Sequence, residues 1–304
     1  MYASAGAAVA VALLMAASPL AGALKPHVIV PPYKGSTSVV YRSVSSYGSC
    51  KSSVALTGVH WVPKTGNATG FGYASAKGCA TPPIGNGNSQ GYTSAEFEIG
   101  IPIKVATNLG HNISVDVSYV YTVIATVTGK ASCPVAKNVP GVYTYSDCSV
   151  YASAGSSVSM EFWDQTNGSF LYGQNDYAYL PQNYSQVYNY SYCNGAGTCY
   201  NYNSTYACHN STYSVCVPSG TRATGSNTTW INTGRNCEYG YNGFCYYWRN
   251  WTLNSSHKYW VIEYVNFDAN ADIYGYGAGH GALATVNGAT LGNSGWRIAS
   301  VTVT

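Results

Sequence analysis

Charge is what this chain has least of. Of 304 residues, 14 are Lys or Arg and 11 are Asp or Glu, so charged side chains make up 8% of the sequence, against about a quarter in ordinary globular domains. A formal net charge of +3, scattered along the chain, is too small to suggest nucleic acid, and no nucleic-acid partner is expected. The 11 carboxylates are too few and too dispersed to nominate a pair that would cleave a glycosidic bond.

Metal and cofactor spacings are missing too. His27, His60, His111, His209, His257 and His280 stand singly, with no H-x-x-x-H pair and no C-x-x-C, which removes the usual zinc arrangements. Cys208-His209 lacks the earlier cysteine that haem attachment needs. After residue 24 no segment shows a helical period, and none approaches the length of a transmembrane span. No catalytic residue is assigned, no cofactor is expected, and the chain reads as something other than an enzyme.

Three motifs match chemistry in their letters only. Gly87-Asn88-Ser89-Gln90-Gly91 spells G-x-S-x-G, but that motif works on a turn from strand to helix. Here it follows a Pro/Gly/Asn stretch and precedes a strand, so a flexible loop is expected. Asp268, Asn270 and Asp272 resemble the opening of a calcium loop, whose alternate oxygens converge on one hard cation. Ile273 replaces the glycine of that loop and Gly279 its final acid, so a structural calcium ion competes with a plain turn between strands. The run Gly275-Tyr-Gly277-Ala-Gly279-His-Gly281 precedes no helix and reads as a glycine-rich strand or a close backbone approach.

What is present points outward. Ten N-x-S/T sequons occur, at Asn67, Asn112, Asn167, Asn183, Asn189, Asn203, Asn210, Asn227, Asn250 and Asn254, against about five by chance. Seven of the ten lie between Asn183 and Ser256, together with six of the ten cysteines. Sequons are used on extracellular surfaces, and cysteines at this density persist as disulfides in an oxidising compartment. All ten cysteines are therefore read as disulfide-bonded. Cys50 with Cys79 and Cys133 with Cys148 are the local pairings considered. Cys193, Cys199, Cys208, Cys216, Cys237 and Cys245 leave fifteen connectivities open.

The N-terminus agrees with that compartment. Residues 3–24 are uncharged and small-apolar, ending in Ala21-Gly22-Ala23, an A-x-A cleavage pattern. Residues 1–23 are read as a secretory signal. No Lys or Arg precedes the apolar run, so a retained apolar helix, serving as a membrane anchor or a pilin-like packing helix, is the competing reading. Ser18-Pro19 and Lys25-Pro26 argue against a long unbroken helix.

The body of the chain alternates with period 2. Phe97, Ile99, Ile101, Ile103 and Val105 form one such series, and Ile113, Val115, Val117, Tyr119, Tyr121, Val123, Ala125 and Val127 a longer one. Val158, Met160 and Phe162, then 258–267, 272–286 and 296–304, continue the pattern. Strands buried on one face predict an antiparallel all-β sandwich, Ig-like or jelly-roll-like, over 45–304. Alternation fails between about 164 and 256, which predicts a long insertion, glycosylated and tied by disulfides. Among the seven tryptophans, Trp260 falls in an apolar strand and is expected in the core. Trp248 and Trp251, beside two sequons, are the more exposed candidates for stacking on sugar.

Between the cleavage pattern and the sandwich lies Leu24–Val44, containing HVIVPPYKGSTSVVYRSV. A β-forming segment directly after a signal peptide, followed by a glycosylated Ser/Thr/Gly/Tyr-rich sandwich, resembles archaeal surface filament subunits of the thread and bundling-pilus type. In that family an N-terminal strand completes the sheet of the next subunit. The resemblance implies a donor strand carrying His27, Val28, Ile29, Val30, Val39, Val40 and Tyr41, and copies of the same chain as partners in a head-to-tail homopolymer. It implies a secreted or cell-surface location, with the membrane engaged only through residues 1–24 if they are retained. A type IV pilin-like subunit, an S-layer or adhesin glycoprotein, and a secreted carbohydrate-binding protein are the alternatives.

Overall fold

The computed structural model describes residues 27–29, 34–47, 53–62, 67–77, 88–106, 108, 111–129, 144–173, 178–212, 214–241, 244–274, 281–288 and 295–304. Among them there is no helix. Two antiparallel sheets pack face to face around one core, as the alternation predicts.

One sheet has eight strands. Its spine is β7 (Thr144–Asp164) beside β15 (Tyr259–Tyr274), with β5 (Asn88–Ile103) on the far side of β15 and β2 (Lys34–Tyr47) at the edge. Along the other flank of β7 run β8 (Ser169–Gly173), β9 (Ala178–Tyr179) and β10 (Asn183–Cys193) end to end, and β11 (Cys199–Ala207) closes that edge.

The second sheet has seven strands. β6 (Asn112–Thr128) faces β12 (Thr221–Asn232) on one flank and both β16 (Gly281–Asn287) and β17 (Gly295–Val303) on the other. β16 and β17 are two halves of one line, since they pair with successive stretches of β6. β4 (Asn67–Lys77) lies beyond them and β3 (Ser53–Val62) beyond β4. At the break, Gly295 has φ +127°, and a Cβ there would fall 2.0 Å from the Ala68 carbonyl oxygen, so glycine is required. β1 (His27–Ile29) adds to β17, and β13 (Gly234–Tyr241) with β14 (Phe244–Trp251) forms a separate hairpin.

Strict alternation along β15 sends Tyr259, Val261, Val265, Phe267, Ala269, Ala271 and Ile273 inward. Trp296 sits at the centre of the sandwich, stacked on Phe267 at 4.8 Å between ring centroids and on Tyr121 at 5.2 Å, with Phe97 at 6.1 Å. The Tyr121 hydroxyl donates to the Pro181 carbonyl, as a buried tyrosine hydroxyl usually does, while Trp296 Nε1 is buried without a hydrogen-bond partner.

The stretch 164–256 differs from the separate insertion that its loss of alternation suggests. β10 pairs with β7 over eleven residues of each strand, and β12 pairs with β6 over twelve. The chain passes from one sheet to the other between β11 and β12, so this stretch builds parts of both sheets. Of the described strands in this stretch, β13 and β14 alone stand outside them.

Candidate assembly surfaces and the sequon-bearing exterior

β1 occupies a particular place. β4 meets β17 only at Trp296 and Arg297. Further along that flank of β17, Val301, Thr302 and Val303 pair with Ile29, Val28 and His27, while the opposite flank is taken by β6. β1 thus supplies the backbone partner that β4 does not reach. β2 pairs along β5 from Lys34 to Tyr47 and has no second neighbour among the described strands. Of the proposed donor residues, His27, Val28, Ile29, Val39, Val40 and Tyr41 therefore pair within their own chain here. Val30 and residues 1–26 lie outside the described residues.

The sequons divide by environment. Asn112, Asn167, Asn203, Asn210 and Asn254 are exposed, and Asn67, Asn189 and Asn227 are partly buried. The Asn250 side chain lies outside the description. Asn183 is different, because its side chain is buried and its Nδ2 donates to the Val217 carbonyl at 2.5 Å. That nitrogen is the atom a glycan would need. Asn189 and Asn203 are direct cross-strand partners. By strand parity they share the face opposite Tyr188, Tyr190, Tyr192, Tyr200, Tyr202 and Tyr206. The tyrosine face is a ladder, with Tyr190 and Tyr202 at 5.0 Å and Tyr192 stacked on Tyr200 at 6.5 Å.

Two disulfides tie this region, Cys193–Cys199 at the tip of the β10–β11 hairpin and Cys208–Cys216 at the crossing between sheets. Bonds of this kind are characteristic of an oxidising, extracellular environment. Cys148 is also disulfide-bonded. Cys50, Cys79 and Cys133 lie outside the described residues, as do the side chains of Cys237 and Cys245, which stand on facing strands β13 and β14.

Two of the motifs that resembled a site take a plain structural place. Asn88 to Gly91 begin β5 rather than forming a loop, and Ser89 points into the core, fully buried. Nothing there exposes a nucleophile. Asp268, Asn270 and Asp272 lie within β15, a central strand, and not on a turn or loop. Alternate residues of a strand are about 6.8 Å apart, which spreads their oxygens instead of converging them on one ion. Among the described residues no three His, Cys, Asp or Glu side chains gather for a metal. Residues 275–280 of the glycine run lie outside the description.

The outward face of the eight-stranded sheet holds most of the local chemistry. Glu161 accepts hydrogen bonds from Trp163 Nε1 and from the Tyr264 hydroxyl, both at 3.1 Å, and Glu96 accepts from Asn266 Nδ2 at 2.8 Å. Burial raises the pKa of Glu96 despite that bond, and burial followed by the neighbouring Glu161 raises that of Tyr264. Burial also pushes Asp268 up to about 6. At one end of β7, Asp164 accepts from the Thr166 and Asn167 backbone amides and lies 2.7 Å from His257 Nδ1, locking the β7–β8 turn.

Trp260 is on this outward face, not in the core, since it alternates with the inward Tyr259 and Val261. The side chains of Trp248 and Trp251 lie outside the description. The apolar neighbours of Trp260 in sequence hid its direction. A usable signal was Gly100, a glycine inside an otherwise regular strand.

The fold and its disulfides thus define an antiparallel β-sandwich of extracellular type. No family model matches the chain, and neither a curated protein nor a solved structure matches it. Among the described residues no helix is long and apolar enough to cross a membrane.

Proposed function

We propose that the chain is a structural subunit of a secreted, N-glycosylated cell-surface filament, and that it polymerises by passing its N-terminal strand into the next subunit. The observation that carries this reading is the seat of β1, three residue pairs on β17 where β4 gives out. A short strand with one neighbour among the described strands can be replaced by the same strand of another copy with every backbone hydrogen bond remade. Each copy then gives a strand and receives one. Such a head-to-tail contact does not close, so it grows into a filament. Glycans on the exposed sequons would keep lateral edges apart.

The test removes residues 24–33, which leaves β2 on β5. The secreted variant is expected to remain a folded monomer, seen by electron microscopy and sedimentation, while the full chain forms filaments. Filaments of normal length from the shortened chain would refute strand exchange. A second reading has one observation in its favour, namely that β1 and β2 already pair within their own chain. Under it the protein is a self-complete surface glycoprotein of adhesin type, and the full chain stays monomeric at any concentration.

A further inference from the structure

A strip of rings crosses the outward face of the eight-stranded sheet. The register sets Pro102 of β5 beside Trp260 of β15, Trp260 beside Trp163 of β7, and Trp163 beside Phe170 of β8. With neighbouring strands about 4.8 Å apart, the strip is roughly 15 Å long. Trp260 lies on β5, where a Cβ at Gly100 would fall 1.9 Å from its ring. The ring is thereby seated on the strand, and Trp260 is half-buried, with its Nε1 buried and without a hydrogen-bond partner. Trp163 is fixed by its bond to Glu161 and meets Phe170 edge-on at 5.2 Å, and Phe170 is 45% exposed.

Polar groups of opposite kind border the strip. Glu161 and Tyr264 lie on one side, while the exposed Lys104 and Lys258 continue the same outward positions on the other. None of the ten sequons falls on β5, β7 or β15, and the exposed Asn167, in the β7–β8 turn between Trp163 and Phe170, would place a glycan at the end of the strip rather than across it.

We propose that this strip binds a neutral polysaccharide chain, laid across the strands with its pyranose C–H groups against the rings. An uncharged aromatic row gives apolar contact to the C–H faces of sugars, and the bordering carboxylate and ammonium groups meet hydroxyls as acceptor and donors. The charge pattern selects against other chains. A polyanion meets Glu161 on one border, and a polycation meets the two lysines on the other. This binding is independent of strand exchange, because the strip includes no residue of β1 or β17.

The experiment is native electrophoresis of the secreted full chain, kept dilute enough to sediment as a monomer, through gels containing hydroxyethyl cellulose or mannan, with polygalacturonate and chitosan as charged comparisons. At least one neutral polymer is expected to retard the protein. W260A, W163A and F170A are expected to weaken that retardation by about tenfold or more. W230A, on the exposed face of β12 in the other sheet, should leave it unchanged. Melting temperatures identify any variant that fails to fold, and F170A, already exposed, keeps the test open if a tryptophan variant does. Absence of retardation by either neutral polymer overturns the proposal. So does retardation by the charged polymers alone, or full retardation of a folded W260A or F170A chain. A concentration-dependent sedimentation change that W260A abolishes would assign the strip to a second copy of the chain, and would also overturn it.

Discussion

The Thr229 hydroxyl donates to the Glu263 carboxyl across the inside of the sandwich, at 3.4 Å to Oε1 and 3.5 Å to Oε2. Thr229 belongs to β12 and Glu263 to β15, so this contact joins the two sheets through a carboxyl that is fully buried. Burial pushes the Glu263 pKa well above the carboxylate range, and the Thr229 bond offsets only part of that. On the outward side of the same strand, burial lifts Asp268 from 3.8 to about 6. A carboxyl with a raised folded pKa holds its proton longer when folded than when unfolded. The folded state then binds more protons, and stability falls as pH rises.

The protein is therefore expected to be most stable in acid. For Asp268 the contribution is complete below about pH 3.8 and lost as pH climbs through about 6. Thermal melting across pH 3 to 9 should show the melting temperature declining toward neutrality. D268N should flatten the decline between pH 4 and 6, and E263Q should raise the melting temperature at neutral and alkaline pH. A melting temperature that climbs from pH 4 to 7 in the unaltered chain would reject this account.

Asn183 is expected to stay bare while its neighbours carry sugar. Its Nδ2 is committed to the Val217 carbonyl inside the fold, whereas Asn112, Asn167, Asn203, Asn210 and Asn254 are exposed. Peptide mass spectrometry after enzymatic release of glycans in heavy-oxygen water should mark those five and leave Asn183 unlabelled. N183A leaves a buried carbonyl without this donor and is expected to cost about 1–3 kcal/mol, while N203A costs close to nothing. Full labelling at Asn183 would contradict its buried place.

The sandwich was readable because one face of its long strands is buried. Along 113–127 and 259–273 the apolar period follows the inward side chains, and the two sheets follow from it. β10 and β11 were not readable, because β11 is an edge strand exposed along almost its whole length, and tyrosine suits either side of a sheet. Asp268, Asn270 and Asp272 recur with period 2, which fits a strand as well as the start of a cation loop. Glu263 interrupts an apolar series, and its acceptance into the core depends on Thr229, 34 residues away. Trp260 misled for the opposite reason. With Val261, Ile262 and Tyr264 beside it, both faces of β15 look apolar there, and only the register against Gly100 and Trp163 settles its direction. Local pattern reports burial, and partners distant in sequence decide the exceptions.

Reduction should separate the crossing between the sheets from the sheets themselves. A disulfide-held insertion would loosen as one unit across 183–256, but β10 and β12 are held by ladders to β7 and β6. The bonds instead secure the ends of these strands. Cys208–Cys216 pins the crossing, where Asn210 Oδ1 accepts from the Cys216 amide at 2.7 Å and Gln182 exchanges backbone bonds with Val215 and Val217. Closing loops this short restrains the unfolded chain by about 2–3 kcal/mol per bond. After reduction, hydrogen exchange is expected to accelerate first over residues 208–218, and protease to cut there, while amides of β10 and β12 stay protected. Simultaneous loss of protection across the crossing and β12 would show that the disulfides hold the sheets together. In that case the ladder to β6 would be a consequence of the Cys208–Cys216 bond rather than a support independent of it.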